Sequence, residues 1–145
     1  MPDYVPRRES YSGVITADAA DVVAATWTGT WYYRSATFEY HLTAAATEAG
    51  DTLDLFIDTS LDGGTNWINI VHFAQSTGTS EPDRAVATIA PEASVMTAPV
   101  DVAADAAAGA VRHILGDRVR VRYTMVQAAT NDNETFTLAV RALFR

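Results

Sequence analysis

Residues 53–73, LDLFIDTSLDGGTNWINIVHF, constrain this chain more than any other stretch. Two apolar runs flank the cluster Leu61-Asp-Gly-Gly-Thr-Asn66, and Trp67 opens the second run. Gly63 and Gly64 carry no Cβ and reach positive φ without the clash that bars other residues. The chain therefore reverses here and two strands pair across the turn. A lone hairpin is marginal in water, so its apolar face predicts further strands packed against it.

Pairing apolar partners chooses the register. A five-residue loop, Asp62 to Asn66, sets Leu61 opposite Trp67, Ile57 opposite Val71 and Leu55 opposite Phe73. Each such pair contributes roughly 0.2–1 kcal/mol. A two- or four-residue loop would put Leu55 opposite His72 instead. The five-residue loop is the expectation.

Elsewhere the period is again two. Phe38, Tyr40 and Leu42 alternate with Glu39, His41 and Thr43. Val119, Val121, Tyr123 and Met125 share one face of a second strand, and Phe136, Leu138 and Val140 one face of a third. Val14 to Thr30 predicts two short strands around Ala17–Asp21, and Ala85 to Ala90 another, closed by Pro91. Gln75–Arg84 and Ala128–Glu134 are turn-rich loops, and Asp105–Val111 predicts a helical turn. Seven to nine mostly antiparallel strands in residues 14–145 predict one all-β domain, a β-sandwich or jelly roll. Residues 1–13, with Pro2, Pro6 and the pair Arg7-Arg8, show no period and predict an extended N-terminal arm.

Composition narrows the function classes. At 145 residues with 48% hydrophobic content, the chain can bury a proper core. No stretch is long and apolar enough for a membrane span, and no apolar run follows the charged N-terminus, so neither membrane insertion nor a secretory leader is expected. There is no cysteine, which removes disulfides and thiolate metal sites. Every basic residue is arginine, and the net charge is −8, which opposes nucleic-acid binding. Arg118, Arg120 and Arg122 alternate along one strand face and are expected to be solvated or ion-paired.

Catalytic signals are absent from the sequence. No G-x-S-x-G elbow occurs, and His41, His72 and His113 stand on separate segments. Asp51, Asp54, Asp58 and Asp62 lack the spacing of a calcium loop; Asp54 and Asp58 share a strand face, and Asp62 bonds the turn backbone. No enzyme, cofactor or metal is expected. Trp27, Trp31, Tyr32 and Tyr33 cannot all enter one core, so at least one faces the surface or a neighbouring subunit. Protein interfaces favour Trp, Tyr and Arg, which makes Tyr4, Arg7, Arg8, Trp27, Trp31, Tyr32 and Tyr33 the candidate contact residues. Sugar-binding sandwiches also display aromatic platforms.

Four segments stand in order: Phe38-Glu-Tyr-His-Leu-Thr-Ala-Ala45, Thr52-Leu-Asp-Leu with Thr59-Ser-Leu-Asp-Gly-Gly-Thr-Asn-Trp67, Gly116-Asp-Arg-Val-Arg-Val-Arg-Tyr-Thr124 and Thr135-Phe-Thr-Leu-Ala-Val140. Together, over residues 36–75 and 109–142, they resemble a group of small tailed-bacteriophage virion proteins. The resemblance implies a decoration (cement) protein on the capsid surface, commonly a homotrimer, bound to the major capsid protein. It carries no catalytic residues. Residues 1–30 and 76–105 lie outside it, and the arm and the 76–105 loop are where partner contacts are expected. A tail or head-fibre protein of the virion and a carbohydrate-binding module are the alternatives.

Overall fold

Period-two patterning becomes nine strands in a computed structural model that describes residues 5–78, 83–91, 102–128 and 135–145. They are β1 (Arg7–Ile15), β2 (Ala19–Thr28), β3 (Ala36–Ala44), β4 (Thr52–Ser60), β5 (Ile68–His72), β6 (Ser76–Thr77), β7 (Asp83–Ile89), β8 (Arg118–Val126) and β9 (Phe136–Phe144). Every pairing between them is antiparallel.

The β4–β5 hairpin is the innermost of four nested pairs. In sequence, β3 and β7 enclose it and pair together; β2 and β8 enclose those, and β1 and β9 enclose them all. Alternate pairs fall in different layers, giving one sheet ordered β1-β9-β3-β7 and a second ordered β2-β8-β4-β5, with β6 pairing the start of β4. This wind of one long folded-over hairpin into two packed sheets is the jelly roll. The all-β sandwich expected from the sequence is the fold.

The core lies between the sheets. Phe38, Leu42, Phe136, Leu138, Val140 and Phe144 enter it from the first sheet, and Leu53, Leu55, Ile57, Ile70, Val119 and Val121 from the second, all fully buried. Phe144 is its aromatic hub. Trp27 and Phe38 meet it edge-on, with centroids 6.2 and 5.9 Å away, and Tyr33 lies tilted at 5.6 Å. Such arrangements suit the ring quadrupoles.

Three expectations are corrected. In the hairpin, Ile57 does oppose Val71, and the Phe73 amide donates to the Leu55 carbonyl at 3.0 Å. A bulge after Ile57 then shifts the register, so Asp58 faces Asn69 and Thr59 faces Ile68. Leu61 consequently has no cross-strand partner in Trp67; it is 63% exposed, and the loop runs from Leu61 to Trp67. Asn69 is the reason. Its amide nitrogen donates to the Ile57 and Val71 carbonyls and to Asp58 Oδ1, at 3.2, 3.1 and 2.9 Å, satisfying groups the bulge frees.

Residues 7–13, expected within an arm, are extended but integrated. They belong to β1, which pairs residue by residue with β9, from Arg7 opposite Phe144 to Ile15 opposite Phe136. The inward positions of β1 before Ile15 are Arg7, Glu9, Tyr11 and Gly13, too polar a set to announce a strand; β9 supplies the ladder. Tyr4 lies outside the described residues.

Asp105–Val111 forms no helical turn. Residues 102–112 run as a strap along the outer edge of β5. The Gly109 and Ala110 backbones bond His72, the Arg112 amide bonds the Ile70 carbonyl, and Val111 bridges Val71. Backbone groups spent on β5 are unavailable to a helix, and Gly109 sits at φ 79°. The strap covers an edge that would otherwise invite pairing.

Candidate interaction end of the sandwich

The β-registers bring the start of β1, β3 and β8 and the finish of β2, β4, β7 and β9 to one end of the molecule. Six of the seven candidate residues gather there. Gly29, at φ 71°, turns the chain out of β2, and Thr30–Tyr32 form a single 3-10 turn. Trp27 and Tyr33, on either side of the turn, point inward onto Phe144. Trp31 and Tyr32 point outward, 60% and 59% exposed, and stack on one another with centroids 3.6 Å apart. The four aromatics thus divide evenly between core and surface.

The turn is held from three directions. Thr30 is wholly buried; its amide donates to the Asp117 carbonyl at 3.0 Å and its hydroxyl to the Gly116 carbonyl at 2.7 Å. The Arg34 and Ser35 amides both donate to the Arg145 carbonyl, at 2.7 and 2.9 Å. A Cβ on Gly116 would stand 1.9 Å from the Ser60 carbonyl oxygen, so the hairpin loop and the turn share one close-packed support. An exposed aromatic pair held this firmly loses little freedom on contact with a partner.

Arg7 is half-buried on the inward side of β1, ion-paired with Glu9 at 2.6 Å and donating to the Thr28 carbonyl. It is committed to the fold. Arg8, one residue on, lies exposed on the outer face of the first sheet. Nearby on that face, Glu39 accepts from Arg84 Nε at 2.7 Å and from Arg141 Nη1 at 3.0 Å. The two arginines hold its carboxyl below the usual carboxylate range.

Leu61 and Asp62 project at the same end, although the expected pairing of Leu61 with Trp67 had placed Leu61 in the strand rather than among the contact residues. The only signal was an apolar residue beginning a polar turn. Asp62 organises the loop: its Oδ1 accepts from the amides of Thr65 (3.1 Å) and Asn66 (2.9 Å) and from the Ser60 hydroxyl (2.9 Å), while Oδ2 accepts from the Asn66 side chain (2.7 Å). The Asn66 amide, the Asn66 side chain and the Ser60 hydroxyl lower its pKa from 3.8 to about 2. A depressed carboxylate pKa stabilises the loop fully above 3.8, and that contribution is lost as pH falls through about 2. The Thr65 and Asn66 amide resonances should therefore move together with a midpoint near 2; a midpoint near 4 contradicts the capped loop.

On the second sheet's outer face two of the three β8 arginines, Arg120 and Arg122, are ion-paired, as expected. Asp58, 1% exposed, receives Arg120 Nε at 2.8 Å and Arg122 Nε at 2.9 Å on Oδ2, and Asn69 and Arg122 Nη2 on Oδ1. Arg122 also reaches Asp105 of the strap at 2.6 Å and Asp21 of β2. Asp21 sits at φ 56°, within an irregularity of β2 that turns it toward Arg122. Burial pushes the Asp58 carboxyl up, but the Arg122 and Asn69 hydrogen bonds and the Arg122 charge outweigh it and leave it lowered. Arg120 also lies over Trp67 at 4.4 Å, and Arg122 over Phe56 at 4.2 Å. A groove of about 470 Å³ opens above this cluster, but its charges are occupied with one another.

The histidines are dispersed. His41 faces outward on β3, His72 lies between Asp54 (3.0 Å) and the Ala106 carbonyl (2.8 Å), and His113 accepts from the Ala90 amide at 3.2 Å. Among the described residues no three His, Asp or Glu side chains converge in a metal-holding group, and no helix is long and apolar enough to cross a membrane. Residues 79–82 and 92–101 of the expected contact loop lie outside the described residues.

No family model matches the chain, and no curated protein matches it. Among solved structures it is similar to a chain of the T13 IBDV viral particle, with a TM-score of 0.52 and 8% sequence identity. The match covers 96% of this chain and 31% of that one, so the chain spans about a third of the length of its neighbour. At this identity the likeness is one of fold.

Proposed function

We propose that the chain is a structural virion protein: a jelly-roll module that decorates the outside of a tailed-phage head, binds the major capsid protein and steadies neighbouring capsomers as a homotrimer. The observation that carries the reading is the nested jelly-roll wind, matched over 96% of the chain in a viral particle. The Trp31–Tyr32 pair supports it, because large aromatics held rigidly in water are the residues that dominate interfaces. The ordered strand motifs resembling small phage virion proteins point the same way. In this reading the protein works by adhesion rather than catalysis, and symmetry multiplies modest contacts.

The test is co-sedimentation of purified protein with undecorated heads. Trp31→Ala/Tyr32→Ala should lose at least tenfold in apparent affinity. Its stability should stay within about 0.5 kcal/mol of the parent, as for exposed positions generally. Unchanged binding removes the aromatic end from the contact; absence of binding by the parent protein removes the head. The same pair supports a carbohydrate-binding module as the second reading, and glycan-array binding abolished by Trp31→Ala would favour it.

A further inference from the structure

The outer face of the β1-β9-β3-β7 sheet has a charge opposite to that of the whole chain. Its outward charged positions among the described residues are Arg8, Arg84, Arg141 and Glu39, while the chain as a whole carries −8. Between Arg8 and Arg141 lies an open groove of about 570 Å³ with Leu143, Val86 and Thr37 along it; its two carboxylates, Glu9 and Glu39, are already ion-paired, Glu9 with Arg7 and Glu39 with Arg84 and Arg141. Arg8 enters none of these ion pairs, so the groove sets apolar surface beside a guanidinium open to an anion.

This chain presents such a pair. Leu61 is 63% exposed at the tip of the hairpin loop, and Asp62 follows it. The tip is rigid: Gly63 and Gly64 hold φ of 74° and 92°, the Gly64 amide donates to the Ser60 hydroxyl at 2.8 Å, and the Trp67 indole donates to the Gly64 carbonyl at 3.0 Å. Asp62 Oδ2 accepts one bond within its own loop, and a carboxylate oxygen has room for a second donor.

We propose that Leu61 and Asp62 of one copy dock in the groove between Arg8 and Arg141 of a second copy. Two basic sheet faces repel each other, so a face-to-face contact is disfavoured and the association is heterologous, knob of one copy into groove of the next. Knob and groove sit at the same end of the sandwich, on opposite sheets. The contact needs no shell, so it stands or falls separately from the virion reading.

Light scattering on the purified full chain at low ionic strength tests it. The parent should exceed the mass of one chain and dissociate as salt rises, because arginine–carboxylate contacts are screened. Arg8→Glu/Arg141→Glu and Leu61→Asp should each run as single chains while melting like the parent. Should the double variant misfold, Arg8→Glu alone, at an exposed position, carries the same test. Mixed together, the groove variant and the knob variant still own one good knob and one good groove between them, so they should form a pair of two chains and nothing larger. A parent that stays a single chain, a variant that keeps the parent mass, or a mixture that fails to pair overturns the proposal. A single-chain parent whose shell binding requires Arg8 and Arg141 overturns it too, and assigns the groove to the shell.

Discussion

Replacing Asp58 by alanine should cost about 3 kcal/mol of folding stability, the low end of what breaking a buried charge pair costs. For a domain of this size that is a fall of roughly 10 °C in Tm. The change strands Arg122, 7% exposed, and leaves it only Asp21 and Asp105, whose side chains are 69% and 45% exposed. It also removes the acceptor shared by Arg120 and Asn69, unlinking β4, β5 and β8 at one point. Urea unfolding reads the loss; a value below about 1 kcal/mol would mean the cluster behaves like a surface pair. Combining Asp58→Ala with Arg122→Met should cost less than the two single changes summed, because the second removes the orphaned charge. Acid should act on the same group. The lowered Asp58 pKa makes its contribution complete above the ordinary carboxylate value, and the contribution disappears as pH falls through the folded value.

Phe144→Ala should be at least as damaging, about 3–5 kcal/mol, as for large aromatic truncations in close-packed cores. Phe144 is fully buried and touches Trp27, Tyr33 and Phe38. The cavity would open directly beneath the 3-10 turn, so the near-ultraviolet signal of the tryptophans should weaken along with stability. Loss of stability below about 1.5 kcal/mol would show that neighbouring rings collapse into the space. The contrast with Trp31→Ala/Tyr32→Ala is the informative part. Residues at the same aromatic-rich end should differ by several kcal/mol according to whether the ring enters the core, as Phe144 does, or faces water, as Trp31 and Tyr32 do.

Much of the fold was legible because one face of most strands meets water. Phe38, Tyr40 and Leu42 in β3, and Phe136, Leu138 and Val140 in β9, alternate with polar residues and point inward as read. β4 was legible only through its turn. Its last five residues, Phe56 to Ser60, are all buried, because the β8 arginines and the strap close over the outer face. Burial on both sides erases alternation. β1 was hidden for the opposite reason: its partner β9 lies about 130 residues away, and its own inward residues are mostly polar.

The interaction end was half legible. Four aromatics in seven positions announced that some must face outward, but which ones depended on Gly29 and on Thr30 finding the carbonyls of Gly116 and Asp117. Leu61 looked like a strand residue until Asn69 claimed the bulge. Asp62 was readable throughout, since its bonds reach no further than two residues back and four forward.

Local physics, then, was written in the chain itself: period-two faces, the Asp62-capped turn, the absence of cysteine and the acidic balance follow from neighbours within a few residues. The nested pairing, the Asp58–Arg122 cluster and the division of the aromatics required partners up to about 130 residues distant. Such contacts form only after the roll has closed, because loop-closure entropy must be met before long-range bonds can repay it. Side-chain order alone does not encode which distant backbone group will be there to receive a bond.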